Sequence, residues 1–186
     1  MSGDTSTRSD PLTRRMTGVT IGGFDLSDVP LISEIAPGLW QGGSADWMVL
    51  PEFIAHFVSL SRRKPCTVAH DLVTQLARRM TDSAAQDMSV VDPVARWVND
   101  CRATGPVLVQ CAAGLNRSGL VVARALMLGG MTAEQAITLI RARRSPACLR
   151  NEAFEGWLRG LPPEGRRDAA LAVPGARDEQ AGLCRG

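Results

Sequence analysis

The chain carries no apolar run long enough to cross a bilayer. Its longest such stretch, Leu120–Met131, is broken by Arg124, whereas a spanning helix needs about 20 apolar residues. The opening residues, MSGDTSTRSD, are polar and hold no secretory h-region. A cytoplasmic protein with no membrane partner is therefore expected. Histidine is scarce: His56 and His70 stand apart, without the spacing of metal ligands. Cys66, Cys101, Cys111, Cys148 and Cys184 include no CxxC pair and are odd in number, which argues against a zinc site and a disulfide framework. Neither a metal nor a cofactor is expected. In a reducing compartment all five are thiols, and the useful question is which one reacts. Strong charge is missing as well. A net charge of +2 is too mild to mark a nucleic-acid groove, yet it does not oppose an anionic substrate.

What is present is the mixture of an ordinary globular domain, 45% apolar and 22% charged over 186 residues. Residues 1–20 and 162–186 are polar or rich in Pro, Gly and Ala. They are read as flexible arms around a folded unit at 21–161. Short strands are expected at Leu31–Ile35 and Leu39–Gln41, joined by the turn dipeptide Pro37-Gly38, with a buried strand late in Phe53–Leu60. Cys66–Met80 fits a helix or a strand equally well.

The second half is clearer. Asp92 is read as the cap of a helix with Pro93 at its first position. Val107–Val109 suits a central parallel strand. An apolar helix follows from about Ser118 to Leu128, stopped by Gly129-Gly130. Thr132 and Gln135 form a capping box for a helix reaching about Arg144, and Asn151 caps the last one. Strands alternating with helices predict a three-layer α/β fold, with a central mostly parallel sheet of about five strands flanked by helices.

The informative segment runs from Val107 to Gly119, with Cys111, Gly114, Arg117 and Ser118 in a C-x5-R-S pattern. A free thiol is only a few per cent ionised near pH 7, and a phosphate dianion repels a negative nucleophile. Both problems ease where a strand gives way to a helix N-terminus. There the amides of Ala112, Ala113, Gly114, Leu115, Asn116 and Arg117 can turn inward onto phosphate oxygens. The same dipoles favour the ionised sulfur. Arg117 can place its planar fork on two oxygens at once, and Gly114 permits a close or left-handed backbone. Ser118 can hydrogen-bond the sulfur.

This segment resembles the signature loop of the cysteine-based protein tyrosine phosphatases, in particular the dual-specificity phosphatases. Leu39-Trp-Gln-Gly42 is similar to an early strand of that family, and Ala136–Pro146 with Asn151 and Phe154 is similar to its closing helices. The resemblance implies a phosphocysteine intermediate at Cys111, hydrolysed by water without a metal. It also implies a general acid about thirty residues before the cysteine. Asp82, 29 residues ahead of Cys111, is the choice, with Asp87 as rival and Asp71 further off. One residue departs from the pattern. The family usually has histidine before the cysteine, and here stands Gln110, which cannot carry positive charge. Weaker support of the ionised sulfur and a slower enzyme are expected.

The substrate class implied is phosphotyrosine in proteins, extending to phosphoserine and phosphothreonine. Gly114-Leu115-Asn116-Arg117 also resembles the loop of RNA 5′-triphosphatases, and related loops serve phosphoinositide phosphatases. A non-catalytic phosphate-binding module is the alternative that Gln110 prompts. Rhodanese and arsenate-reductase readings fit the closing helices less well. Trp40, Trp47, Trp97 and Trp157 are read as core or lid residues, and Cys148 as a buried thiol. Arg141, Arg143 and Arg144 are read as a solvated helix face.

Overall fold

The computed structural model describes residues 11–12, 15–16, 20–21, 23–61 and 66–162. The expected C-terminal arm, beyond Pro162, and residues 1–10 of the N-terminal one lie outside them. Two short strands, β1 (Thr20–Ile21) and β2 (Phe24–Asp25), pair antiparallel ahead of the main sheet. Within the segment read as an arm, Leu12 and Met16 pack against the core, and the Met16 amide donates to the Val29 carbonyl.

The main sheet has five strands: β3 (Ile32–Ala36), β4 (Leu39–Gly42), β5 (His56–Ser59), β6 (Thr74–Ala77) and β7 (Val107–Gln110). Their order is β3-β4-β7-β5-β6, with β3 antiparallel to β4 and the rest parallel. The expected mostly parallel five-stranded sheet is what forms. β7 sits at its centre with all four residues buried, which is why Val107–Val109 reads as one unbroken apolar run. The ambiguous segment before Met80 resolves as strand: β6, at the edge, is largely exposed.

The helices are α1 (Val91–Arg102), α2 (Arg117–Leu128), α3 (Ala133–Arg143) and α4 (Glu152–Gly160). Residues from all four meet Val58, Val107 and Val109 in the larger core cluster. The opposite face, where Phe57 and Leu108 point, is covered by Met48, Leu50, Ile54 and Cys66 from loops rather than by a described helix. Gly42-Gly43 and Pro51 in that covering segment suit loop more than helix. The Thr132–Gln135 capping box and the Asn151 cap form as expected.

Asp92 does not cap α1. A 3-10 turn, Met88–Val90, precedes the helix, and Asp87 caps that turn by accepting from Ser89. Asp92 therefore falls inside the first helical turn, with Pro93 behind it where no intrahelical amide is needed. The Asp92 carboxylate instead receives the Arg124 guanidinium at 2.6 and 3.0 Å. Arg124 lies on α2, whose residues 118–127 are all buried. A fully buried arginine there requires such a partner.

Candidate active site

β7 ends at Gln110, and the chain turns through residues 111–116 into α2, which starts at Arg117. Cys111 is 2% exposed at the base of this loop. Its sulfur lies 3.3 Å from the Ser118 hydroxyl and accepts from the Gly114 amide at 3.2 Å. Gly114 has φ +69, and a Cβ there would strike the Gly42–Gly43 backbone and the Arg144 guanidinium. Only glycine fits, for reasons of both space and conformation.

Carbonyls and amides of the loop are treated very differently. The Ala112 carbonyl accepts from the Ser44 amide at 3.0 Å. Gln41 donates to the carbonyls of Gly114 (2.9 Å) and Leu115 (3.5 Å). Arg144 donates to those of Gly114 and Ala113. Against this, the amides of Ala112, Ala113, Leu115 and Asn116 take no partner among the described residues. The framework thus holds the acceptors from beneath and leaves a row of donors above. Free donors beside a helix N-terminus are the groups that an anion site requires.

Arg117 is half-buried beside it. Its Nη1 donates to the Met80 carbonyl at 3.3 Å, while its buried Nε has no partner among the described residues. Met80 leads into the Asp82 loop. Asp82 is exposed, and both of its oxygens accept from carboxamides: Oδ2 from Asn116 at 3.1 Å, Oδ1 from Asn151 at 3.0 Å. Asp82 is therefore tied directly to the loop that carries Cys111. Asp87 is not. Its carboxylate is occupied by Ser89, whose hydroxyl and amide hold it below the ordinary 3.8. Of the two rivals, only Asp82 reaches the site.

Gln110 points away from Cys111, through the other face of the sheet. Its amide nitrogen donates to the Gly43 carbonyl at 2.9 Å and lies 3.3 Å from the Met48 sulfur. Gly43 in turn packs against the Ala112–Ala113 backbone. Gln110 braces the loop from behind, a role open to any neutral amide of that reach. Cys66, beside the same carboxamide, is pushed up to about 11 by burial.

The arginines of α3 are not the uniform solvated face expected. Arg143 is exposed, but Arg141 donates to the Cys148 and Leu149 carbonyls and pairs with Glu155. Arg144 is only 6% exposed and sits under the loop. Arg144 stands four residues after Ile140 and seven after Ile137, on the buried stripe of α3, and that spacing turns it inward. Cys148 is buried as expected, and burial raises its thiol to about 11. The cysteines described (66, 101, 111 and 148) are all free, and no group of three metal-binding side chains occurs among the described residues.

A cysteine directly after a central parallel strand and an arginine opening the next helix have the placement expected of a cysteine phosphatase. A family model, dual specificity phosphatase catalytic domain, matches residues 53–161. The chain belongs to the dual specificity phosphatase family, and that segment is its cysteine-based phosphatase domain. Among solved structures, human DUSP28 is 25% identical, with a TM-score of 0.60 over 70% of this chain and 91% of its own. A mouse putative dual specificity phosphatase, complexed with zinc tungstate, is 24% identical with a TM-score of 0.61, covering 76% and 89%. A curated relative, isopentenyl-diphosphate delta-isomerase of Deinococcus radiodurans, is 40% identical over 86 residues, or 46% of this chain. The match spans 24% of that relative's length.

Proposed function

We propose that the protein hydrolyses phosphomonoesters of proteins, phosphotyrosine above all, with phosphoserine and phosphothreonine as further substrates. Cys111 is the nucleophile. Its sulfur attacks phosphorus, the P–S bond forms as the ester P–O bond breaks, and Asp82 gives its proton to the leaving oxygen. Water then attacks phosphocysteine with the Asp82 carboxylate taking its proton, and the thiolate leaves beside the Ser118 hydroxyl. The loop amides from Ala112 to Arg117 and the Arg117 guanidinium hold the equatorial oxygens through both steps.

One observation carries the reading: loop carbonyls are tied to the framework while four loop amides and the buried Arg117 Nε have no partner among the described residues. Free thiols at every described cysteine suit a reducing cytoplasm, and no described helix is long and apolar enough to cross a membrane.

The test compares wild type with Cys111→Ser on an aryl phosphate. Turnover is expected to fall by about four orders of magnitude or more, and acid-quenched wild type should carry phosphate on Cys111. Equal rates in the two proteins would remove the cysteine mechanism.

A further inference from the structure

Arg144 has an unusual set of partners for a buried cation. Its guanidinium donates to the carbonyls of Pro30, Leu31, Gln41, Ala113 and Gly114 and reaches the Ser33 hydroxyl. None is a carboxylate, and no Asp or Glu pairs with it among the described residues. A guanidinium keeps its proton even when buried, so a whole positive charge lies beneath the loop with only dipoles around it. Burial pulls its pKa below the ordinary arginine range, and the Cys148 and Cys111 sulfurs, when ionised, pull it back. Gly114, whose carbonyl it holds, gives its own amide to the Cys111 sulfur.

We propose that Arg144 is a positioning residue of the phosphatase site. By holding the Ala113 and Gly114 carbonyls down it turns the loop amides toward the oxyanion. Its unneutralised charge also supports the Cys111 thiolate and the incoming dianion, the electrostatic part that Gln110 cannot supply. The inference rests on Cys111 being the nucleophile. The other charged or titratable groups around the loop are Arg117 at its end, Asp82 bonded to Asn116, Arg150, whose backbone amide donates to Asn116 while its guanidinium lies over Phe24, and Cys148 after α3. Cys66 lies behind β7. Arg117 works from the solvent side of the loop and Arg144 from the core side.

The experiment uses the full chain with Arg144→Met, which removes charge and fork, and Arg144→Lys, which keeps the charge alone. Alkylation of Cys111 by neutral iodoacetamide is followed against pH on the Cys111 peptide, and inorganic phosphate is measured as an inhibitor. In Arg144→Met the alkylation midpoint should rise by about one pH unit, a ten-fold loss of thiolate below it. Phosphate inhibition should weaken by about ten-fold or more. In Arg144→Lys the midpoint should stay within about 0.3 unit, while phosphate inhibition weakens about three-fold. A folded Met variant with both wild-type values overturns the proposal, as does a Lys variant whose midpoint moves as far as Met's. Wild type alone gives a second measurement that no folding defect can spoil. A core-side charge is hardly screened, so the midpoint should hold from about 0.05 M to about 1 M salt. A rise of half a unit or more would place the supporting charge in solvent and sink the idea. Full activity in Cys111→Ser would instead break the phosphatase reading.

Discussion

Among the described residues two arginines are withdrawn from water, and their company differs. Arg124, fully buried on α2, meets the Asp92 carboxylate through two charge-assisted bonds across the α1–α2 contact. Arg144, under the phosphate loop, has carbonyls and one hydroxyl. The first arrangement neutralises charge and joins two helices. The second preserves charge beneath the loop that carries Cys111. A neutralised pair is a feature of stability, and a preserved charge points to function, since dipoles alone leave its field intact.

The contrast can be broken most severely at Gly114. Gly114→Ala places a methyl against Gly42, Gly43 and Arg144 in a left-handed backbone, disturbing both the cradle and the cation below it. Activity on an aryl phosphate should fall about 100- to 1000-fold. The next largest effect is expected at the structural pair. Asp92→Ala leaves the Arg124 charge without its carboxylate and should cost about 3–5 kcal/mol in urea unfolding. Replacing both, Asp92→Leu with Arg124→Met, should return stability to within about 1 kcal/mol of wild type with activity kept. If the double variant were also inactive, the division between structural and functional arginines would be wrong.

The smallest effect belongs to Asp87. Its carboxyl is held below 3.8 by Ser89, so the unfolded chain binds this proton more readily than the folded one. The stabilisation is present above 3.8 and fades as pH falls through the lowered folded value. The melting temperature of Asp87→Ala should therefore lie slightly below wild type near pH 7. The gap should close by about pH 2, and an unchanged gap there would mean that the cap works without its charge.

Much of this was legible in the residues. The apolar run Val107–Val109, the capping box at Thr132 and the Asn151 cap announced their elements because each is a local signal. Cys111, Gly114, Arg117 and Ser118 could be read as a group for the same reason: eight consecutive positions contain the whole loop. Asp92 misled because an acidic residue before proline suits a cap, while the 3-10 turn at Met88–Val90 moved the helix start ahead of it. Choosing Asp82 over Asp87 relied on chain spacing and family resemblance. The fold adds a distinction that spacing does not contain: Asn116 and Asn151 reach the Asp82 carboxylate and Ser89 takes that of Asp87. The partners of Arg144 were illegible, since the acceptors around it come from residues 30, 31, 33, 41, 113 and 114.

By itself the sequence determined the elements and the composition of the phosphate loop, because helix periodicity, caps and a strand-to-helix turn depend on neighbours a few positions apart. Tertiary structure alone decided which buried charge is neutralised, which aspartate meets the loop, and that Gln110 faces Gly43 instead of the sulfur. Those outcomes depend on groups brought together from distant parts of the chain, and burial makes their partners matter because water is no longer there to satisfy them.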